Sequence, residues 1–366
     1  MVPKISRSFS RRASRRNVAA LMASSIVGVM LVGCTIDTSV VVPPMPGATT
    51  PSSEAVSSPD VESIMSLINQ RRALSFLDDL QAVADAHDGN RAAGTDGAAA
   101  SRDLVAETLK DAGLKVTREP FVSSNGFAGE NLFAEIPGTS DDVVLLGAHL
   151  DSVTMGPGLN DNASGVGTLV ETALIEAQRD SARSATVRFA FWDAEEIGIL
   201  GSSAYVEQLP AEEKEGITAY VNYDMTATLD GYVGIIDSDL SSIDEQPEEI
   251  RDLLSEMYSG ADVASDSTRV EQALWDFYRA ANLDGFELRS EIMTLANSDT
   301  LPFLADGTVP YSGIGMLGAD QEVDDDGTIL FAACYHQACD TRANIDEDAY
   351  LTSIGSALHV IDTLAD

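Results

Sequence analysis

Side chains of the types that bind metal ions lie at the ends of short apolar segments of this chain and in the Gly-rich loop that follows one of them. They comprise one imidazole and five carboxyl groups: His149, Asp151, Asp161, Glu195, Glu196 and Asp224. Carboxylates that are brought together repel one another, so a multivalent cation is their natural partner. Because nitrogen joins oxygen in the set, we expect zinc or a similar divalent metal rather than calcium. The number of ligands indicates two ions, which together can hold an attacking water and a scissile carbonyl.

The surrounding sequence predicts the elements that position these side chains. Residues 142–148, 186–192 and 217–224 are short, apolar and rich in β-forming residues, which is typical of strands buried on both faces. Residues 163–178 predict a helix between the first two, and this alternation indicates a mainly parallel sheet covered by helices. Ligands bind where the carboxyl ends of parallel strands meet. We therefore expect the polar residues at the strand ends to lie together, with Asp161 carried there by a Gly-rich loop.

Each acidic residue also has a structural explanation when it is considered alone. Asp161 is compatible with a position beside a helix N-cap, Asp224 with a turn, and Glu196 with a surface charge. The repeated placement of such residues at strand ends favours the metal site. His87 and His359 do not share this placement, and we expect them to be structural.

The composition indicates a folded domain that does not bind nucleic acid. The chain has 366 residues, 44% of them hydrophobic, which is enough to bury a large core. Its 59 acidic and 22 basic residues give a net charge of -37, whereas binding to phosphates needs clustered Lys and Arg. Residues 61–86 and 347–364 predict helices at the two ends of the domain. Residues 239–266 carry nine acidic residues and one arginine; we interpret them as an insertion, either an acidic loop with a short helix or a rim of the site.

The first 33 residues differ from the rest and predict export. They carry six basic residues and no acidic one, and residues 18–32 form an apolar run that is short for a membrane span but normal for a signal peptide. The run ends in "LVGC", which resembles a bacterial lipobox, so Cys34 is the expected lipidation site; a transmembrane anchor is the alternative. "SRRNVA" resembles a twin-arginine export signal. We predict a signal peptide (1–33), a Pro/Ser/Thr-rich tether (34–60) and a folded domain (61–366), held on the outer face of the bacterial cell membrane.

The remaining cysteines form a pair. With Cys34 assigned to lipid, Cys334 and Cys339 are an even number of thiols in an oxidising compartment, which favours a disulfide. A thiolate metal site is the alternative.

Five motifs occur in order along the chain: "GAHLDSV", "GPGLNDNASGVG", "FAFWDAEEIGILGS", "NYDM" and "CYHQACD". Together they resemble the co-catalytic zinc aminopeptidases, especially the secreted Streptomyces-type enzymes. "GNRAAGT" and "SDTLPF" extend the resemblance, which covers residues 61–366. It implies a single α/β domain with a mixed, mainly parallel eight-stranded sheet flanked by helices. It also implies two zinc ions per chain and peptide substrates with a free N-terminus.

The resemblance assigns the metal ligands residue by residue. It implies that His149 and Asp224 hold one zinc ion and that Glu196 and His336 hold the other. Asp161 is the expected bridge between the two ions.

The resemblance also assigns residues that act on the reaction. Glu195 is the expected general base, and Asp151 is expected to orient His149. Tyr335 matches a tyrosine whose hydroxyl helps to polarise the scissile carbonyl. The disulfide between Cys334 and Cys339 would brace the loop that presents this tyrosine.

Other functions of the same fold remain as alternatives. A glutaminyl cyclase or a carboxypeptidase would use much of the same metal shell, and an inactive binding lipoprotein would lack a ligand or the base, none of which is missing here. Two departures from the family pattern mean that the preferred side chain of the substrate's first residue is not predicted. Asn297 replaces an arginine, and residues 313–319 do not align cleanly with the family's hydrophobic substrate pocket. We expect a monomer.

Overall fold

A computed structural model of the chain describes residues 60–366 apart from 180–181, 246–250, 253, 256–257, 259–262, 283–285, 293–297, 319–321, 324–328 and 331. The predicted signal peptide, Cys34 and the predicted tether up to residue 59 lie outside the described residues, as does Asn297. Within the described part of the chain, no helix combines the length and the apolar character that a membrane span needs.

A mixed eight-stranded sheet forms the centre of the fold, as predicted. Its strands are β1 (Lys115–Val122), β2 (Ala128–Ile136), β3 (Val143–His149), β4 (Thr186–Trp192), β5 (Ile217–Asp224), β6 (Gly231–Ile236), β7 (Leu288–Glu291) and β8 (Tyr311–Gly318). They lie in the order β1-β2-β4-β3-β5-β8-β6-β7. Pairing is parallel from β4 through β3 and β5 to β8 and between β6 and β7, and antiparallel in the other pairs. A separate two-stranded ladder joins β9 (Glu322–Val323) to β10 (Ile329–Leu330).

Helices cover both faces of the sheet. The described helices are α1 (Val61–Met65), α2 (Gln70–Ala86), α3 (Asp96–Asp111), α4 (Gly165–Glu176), α5 (Leu200–Gln208), α6 (Ala211–Gly216), α7 (Ser267–Ala281), α8 (Leu301–Asp306) and α9 (Glu347–Leu364). Val144 and Leu146 of β3 join one core cluster with residues of α2, α3, α4, α7 and α9. Leu145, which lies between them, joins a second cluster with Tyr205 of α5 and Phe303 of α8. Successive side chains of a strand point to opposite faces, so a continuously apolar β3 fills a core on each side.

Helix α4 packs directly behind the predicted metal site. All of its residues are buried, which its small and aliphatic side chains allow. A Cβ atom at Gly167 would lie 2.4 Å from the hydroxyl of Tyr350, so glycine permits the close approach of α9. The one charged residue in its middle, Glu171, binds Arg72 of α2 at 2.6 Å. The helix therefore forms a rigid support for the loop that precedes it.

The predicted elements agree closely with the observed ones. The three predicted strands are β3, β4 and β5, and the predicted C-terminal helix is α9. The predicted helix over 163–178 begins at Gly165 instead, because Asp161 and Asn162 have non-helical backbone angles in a π-type turn over Leu159–Ser164. The predicted helix over 61–86 is interrupted, since Asn69 caps α2 by accepting a hydrogen bond from the main-chain N–H of Arg72.

The acidic segment 239–266 is partly described. Ser241–Glu245 forms a 3₁₀ turn, and Asp237 accepts hydrogen bonds from the main-chain N–H groups at its start. Leu254 and Tyr258 are buried. The described part thus contains a short 3₁₀ turn and two buried apolar side chains that pack against the protein.

Candidate active site

Three adjacent parallel strands end at the predicted site. β3 ends at His149 and β5 at Asp224, while Glu195 and Glu196 follow shortly after β4. These strands are neighbours in the order β4-β3-β5, so their carboxyl ends share one edge of the sheet. The structure therefore brings together side chains such as His149 and Asp224, which are 75 residues apart in the sequence.

Asp161 lies between two imidazole groups. Its Oδ1 is 3.2 Å from Nε2 of His149, and its Oδ2 is 3.3 Å from Nε2 of His336. Nε2 of His149 is also 3.3 Å from Oδ1 of Asp224, and Nε2 of His336 is 3.0 Å from Oε2 of Glu196. The side chains thus form two groups of three, His149, Asp224 and Asp161 in one and His336, Glu196 and Asp161 in the other.

The donor set fits a divalent cation. One ligand atom from each of His149, Asp161 and Glu196 lies within 4.8 Å of the others. Oε1 of Glu196 is buried, and no described residue gives it a hydrogen bond. A buried polar atom without a partner costs free energy that a bound ion would recover. Imidazole nitrogen and carboxylate oxygen are ligand types that zinc accepts, so these residues fit a zinc centre.

The electrostatics of the cluster also favour positive charge. Burial and the neighbouring charge of Asp161 raise the pKa of Glu196 to about 7. Although burial opposes ionisation, hydrogen bonds from His149 and His336 hold the pKa of Asp161 below its usual range. Burial alone would lower the pKa of His336, but Asp161 and Glu196 outweigh it and raise the value to about 10. Imidazolium groups here balance carboxylates that a divalent cation could balance instead.

The segment that carries Asp161 has an irregular backbone. Gly158 has φ +64°, and a Cβ atom there would lie 2.3 Å from the main-chain oxygen of Asp161, so glycine is required. The peptide bond between Asp161 and Asn162 is cis. The amide of Asn162 donates to the main-chain oxygen of Tyr223 and accepts from the N–H of Gly165, both at 2.9 Å. Asn162 therefore ties the turn to the end of β5 and to the start of α4.

A short loop closed by a disulfide presents His336. Cys334 and Cys339 form this disulfide, with their Cα atoms 5.4 Å apart. His336 has φ +57°, and the ring of Tyr335 stacks on its imidazole with centroids 3.7 Å apart. Burial and the charge of Asp161 raise the pKa of Tyr335, so its hydroxyl stays protonated and can donate a hydrogen bond.

Asp151 contacts more of the site than its predicted role requires. Its carboxylate accepts hydrogen bonds from the main-chain N–H groups of Glu195, at 3.0 Å, and Glu196, at 3.3 Å. Nδ1 of His149 lies 3.7 Å from that carboxylate and 3.2 Å from the main-chain oxygen of Asp151. Asp151 thus meets His149 chiefly through its main chain, while its carboxylate positions the two glutamates.

Residues that sequence reasoning did not assign hold the ligands in place: Arg91, Asn162, Ser298 and Asp340. Ser298 donates to Oδ2 of Asp224 at 2.6 Å and accepts from the side-chain amide of Asn222 at 2.9 Å. Three of the four lie in motifs that carried the resemblance, "GNRAAGT", "SDTLPF" and "CYHQACD", and Asn162 lies in "GPGLNDNASGVG". Those motifs were the signal, but contacts across 59 to 180 residues cannot be derived from them.

The site opens into a cleft of about 290 Å³. Its polar lining consists of His149, Asp161, Glu195, Glu196, Asp224, Ser298, Tyr335 and His336. Ile199, Met225 and Leu317 provide an apolar side, so the segment 313–319 does contribute to the cleft although its sequence did not align cleanly. His359 instead stacks on Phe277 of α7 at 5.8 Å.

Sequence comparisons relate the chain to known peptidases. The profile of peptidase family M28 matches residues 131–361. Leupeptin-inactivating enzyme 1 of Streptomyces exfoliatus is 34% identical over 302 residues, which cover 79% of this chain and 60% of that enzyme. "Probable lipoprotein aminopeptidase LpqL" of Mycobacterium tuberculosis is 48% identical over 107 residues, 29% of this chain and 21% of that protein. The aligned part of the chain spans about 60% or less of the length of these relatives.

Solved structures share the fold. BSAP, a zinc aminopeptidase from Bacillus subtilis, has a TM-score of 0.61 at 15% identity, covering 80% of this chain and 94% of BSAP. Porphyromonas gingivalis glutaminyl cyclase has a TM-score of 0.60 at 19% identity, covering 81% of this chain and 98% of the cyclase. Both structures share the α/β architecture of this chain to the same degree, so the comparison establishes the fold.

Proposed function

The chain belongs to peptidase family M28, and from this premise we propose that it is a zinc aminopeptidase that removes N-terminal residues from peptides. The position of Asp161 carries the proposal, because its two oxygens lie 3.2 and 3.3 Å from the imidazoles of His149 and His336. One carboxylate shared by two such groups supports a centre for two ions. In this proposal His149 and Asp224 hold one zinc ion, Glu196 and His336 hold the other, and Asp161 bridges them.

Two bound zinc ions would supply Lewis acidity, which polarises the scissile carbonyl and makes water a stronger acid. Glu195 then accepts the proton of the attacking water and passes it to the leaving amine. Burial and the nearby charge of Asp299 raise the pKa of Glu195, which suits a group that must hold a proton before releasing it. The hydrogen bond from its main-chain N–H to Asp151 fixes the place of Glu195 in the cleft.

Tyr335 is proposed to stabilise the developing oxyanion. Its hydroxyl remains protonated because burial raises its pKa. A donor held in place costs no reorganisation when negative charge develops on the carbonyl oxygen. The stacking of its ring on His336 limits the motion of this donor.

The walls of the cleft suggest the class of substrate. We propose that the carboxylates of the cleft attract the free α-ammonium group of a peptide. The side chains of Ile199, Met225 and Leu317 would then accommodate an aliphatic first residue.

Sequence relatives favour an aminopeptidase over a glutaminyl cyclase. The two structural neighbours fit the fold equally well, with TM-scores of 0.61 and 0.60. LpqL and two further relatives, at 32% and 34% identity, are named as aminopeptidases.

A substrate panel tests the proposed function. Leucine p-nitroanilide should be hydrolysed, its N-acetylated form should not, and a chelator should abolish the reaction until zinc is restored. Conversion of glutaminyl peptides to cyclised products without release of an N-terminal residue would instead identify a cyclase.

We also propose the cellular placement predicted from the N-terminal sequence. Residues 1–33 act as the signal peptide, Cys34 takes the lipid, and 34–60 tether the domain 61–366 outside the cell; the name of the relative LpqL supports this. The variant Cys34→Ala should be released or mislocalised. If it fractionates with membranes as the wild type does, the lipidation site is wrong.

A further inference from the structure

A single loop connects two of the proposed metal ligands. Residues 150–160 join His149 at the end of β3 to Asp161 and contain no strand or α-helix. Most of this loop is buried, so its main-chain polar groups need partners within the protein. The distance between the two ligands therefore depends on the groups that bind this loop.

Arg91 supplies many of those partners. It lies between α2 and α3 and is 0% exposed. Its guanidinium donates to the main-chain oxygens of Leu150, Pro157 (2.9 Å) and Gly158 (2.7 Å). Its own main-chain N–H donates to the hydroxyl of Ser152 at 2.9 Å. One side chain thus connects the residue after His149 to the turn that leads into Asp161.

Asp340 binds the remaining part of the loop. Its carboxylate accepts hydrogen bonds from the main-chain N–H groups of Asn160, at 2.9 Å, and Asp161, at 3.0 Å. Its main-chain oxygen accepts from the N–H of Leu159 at 3.0 Å. Asp340 directly follows the disulfide loop that contains His336, so it links the bridging ligand to the segment of the second imidazole.

We infer that Arg91 and Asp340 are positioning residues that set the separation of His149 and Asp161 for metal binding. This inference rests on the proposed function, since it takes His149 and Asp161 to be zinc ligands. Neither Arg91 nor Asp340 is a ligand in that proposal. Arg91 also lies outside residues 131–361, the part of the chain that the family profile matches.

The positive charge of Arg91 suggests a competing role for this residue, which predicts the opposite effect on zinc affinity. Burial lowers the pKa of Arg91 to about 10, so the side chain is a cation at neutral pH. Its charge interacts with four carboxylates: Asp151, Asp161, Glu196 and Asp340. If the charge were its main contribution, its removal would strengthen the binding of a divalent cation. If the hydrogen bonds are its main contribution, its removal weakens that binding.

Replacing Arg91 with lysine separates the effect of its charge from the effect of its hydrogen bonds. Arg91→Lys keeps the positive charge, but one ammonium group cannot reach carbonyls that a planar guanidinium spans with three nitrogens. Arg91→Met removes both the charge and the donors. Asp340→Asn keeps the size of the side chain but replaces one of two acceptor oxygens with a donor that faces a main-chain N–H. Arg183, a buried arginine bound to Glu176, provides the matched controls Arg183→Lys and Arg183→Met.

The experiment measures zinc dissociation constants of the full chain by competition with a chromogenic chelator. Kinetics on leucine p-nitroanilide and the melting temperature of the metal-free protein accompany it. Arg91→Lys, Arg91→Met and Asp340→Asn should each weaken zinc binding by about 10- to 100-fold, with kcat falling more than KM rises. The Arg183 variants should lower the melting temperature at least as much and leave zinc affinity unchanged.

Three outcomes would contradict either the positioning role or the proposed function. Wild-type zinc affinity in Arg91→Lys, or tighter binding in Arg91→Met, would overturn the positioning role while leaving the proposed function intact. A wild-type chain that binds no zinc would overturn the proposed function and the inference together. If Arg91→Met does not fold, Arg91→Lys and Asp340→Asn decide the question.

Discussion

Two clusters of acidic residues in this molecule have different partners. At the C-terminal ends of α4 and α9, carboxylates bind arginines at 2.6 to 3.0 Å; this arginine cluster consists of Glu176, Arg179, Arg183, Asp362 and Asp366. In the cleft, Asp161, Glu196 and Asp224 face imidazoles at 3.0 to 3.3 Å. Within the described residues, no lysine or arginine forms an ion pair with these three.

The difference separates a structural role from a binding role. Arginine is always charged, so carboxylates paired with it are already neutralised and can stabilise only the fold. Imidazole can lose its proton and become a metal ligand, so the cleft carboxylates remain available to a cation. Variants in the two clusters should therefore have separable effects on metal content and on stability.

The largest effect is expected at Asp161. Asp161→Asn replaces one of the two carboxylate oxygens with an amide nitrogen and removes the negative charge that both imidazole groups share, so zinc binding at both positions should weaken strongly. Activity should fall by about a thousandfold or more, because metal ions supply several kcal/mol of transition-state stabilisation. Hydrolysis of leucine p-nitroanilide and zinc analysis on the same sample check this. Near wild-type zinc content in this variant would mean that Asp161 is not a bridge.

The same substitution at Glu195 and at Glu196 should have different effects, because the two neighbours have different proposed roles in the cleft. In Glu195→Gln, kcat should fall by about two to four orders of magnitude with zinc retained and KM little changed, as for the loss of a general base. In Glu196→Gln, one ion should be weakened, and excess zinc should restore part of the activity. Identical zinc loss in both variants, or full activity in Glu195→Gln, would contradict the assigned roles.

Parts of this site followed from the sequence for a clear physical reason. His149, Asp224 and Glu196 were predicted to meet because parallel strands share one edge, and the strand pattern was strong. The exact place of Asp161 depends on a π-type turn held by Asn162, and no periodicity in the sequence predicts such a turn.

The remaining contacts depend on the tertiary fold. His336 follows none of the three strands that the sequence predicted, so only the resemblance placed it in the site. The arginine cluster joins Arg183 to Asp366 across 183 residues, and no local pattern connects those positions. The interruption at Asn69 was missed because helical spacing of apolar residues continues on both sides of it.

A smaller effect is expected when the disulfide is reduced. The ring between Cys334 and Cys339 is short, so it should contribute less to global stability than a long closed loop would. It should matter more for His336, which it presents to the cleft. Reduction should weaken zinc retention by about tenfold before the melting temperature changes much. Titration of two free thiols in the unreduced, denatured protein would exclude the bond.

The smallest effect on activity is expected in the arginine cluster. Arg183→Met leaves Glu176 buried without this partner, which should reduce the free energy of unfolding by about 3 kcal/mol. Zinc content and kcat should remain at wild-type values, since the cluster lies at the C-terminal end of α4 and Asp161 precedes the N-terminal end. Thermal unfolding and metal analysis check both statements, and a loss of zinc would show that the two clusters are not independent.

The number of zinc ions bound per chain tests the central claim most directly. It should be measured by elemental analysis after dialysis on the wild type, Glu195→Gln and Glu196→Gln under identical conditions. The account predicts two ions in the wild type, two in Glu195→Gln and about one in Glu196→Gln. A wild-type chain that binds one ion or none at saturating zinc would contradict it.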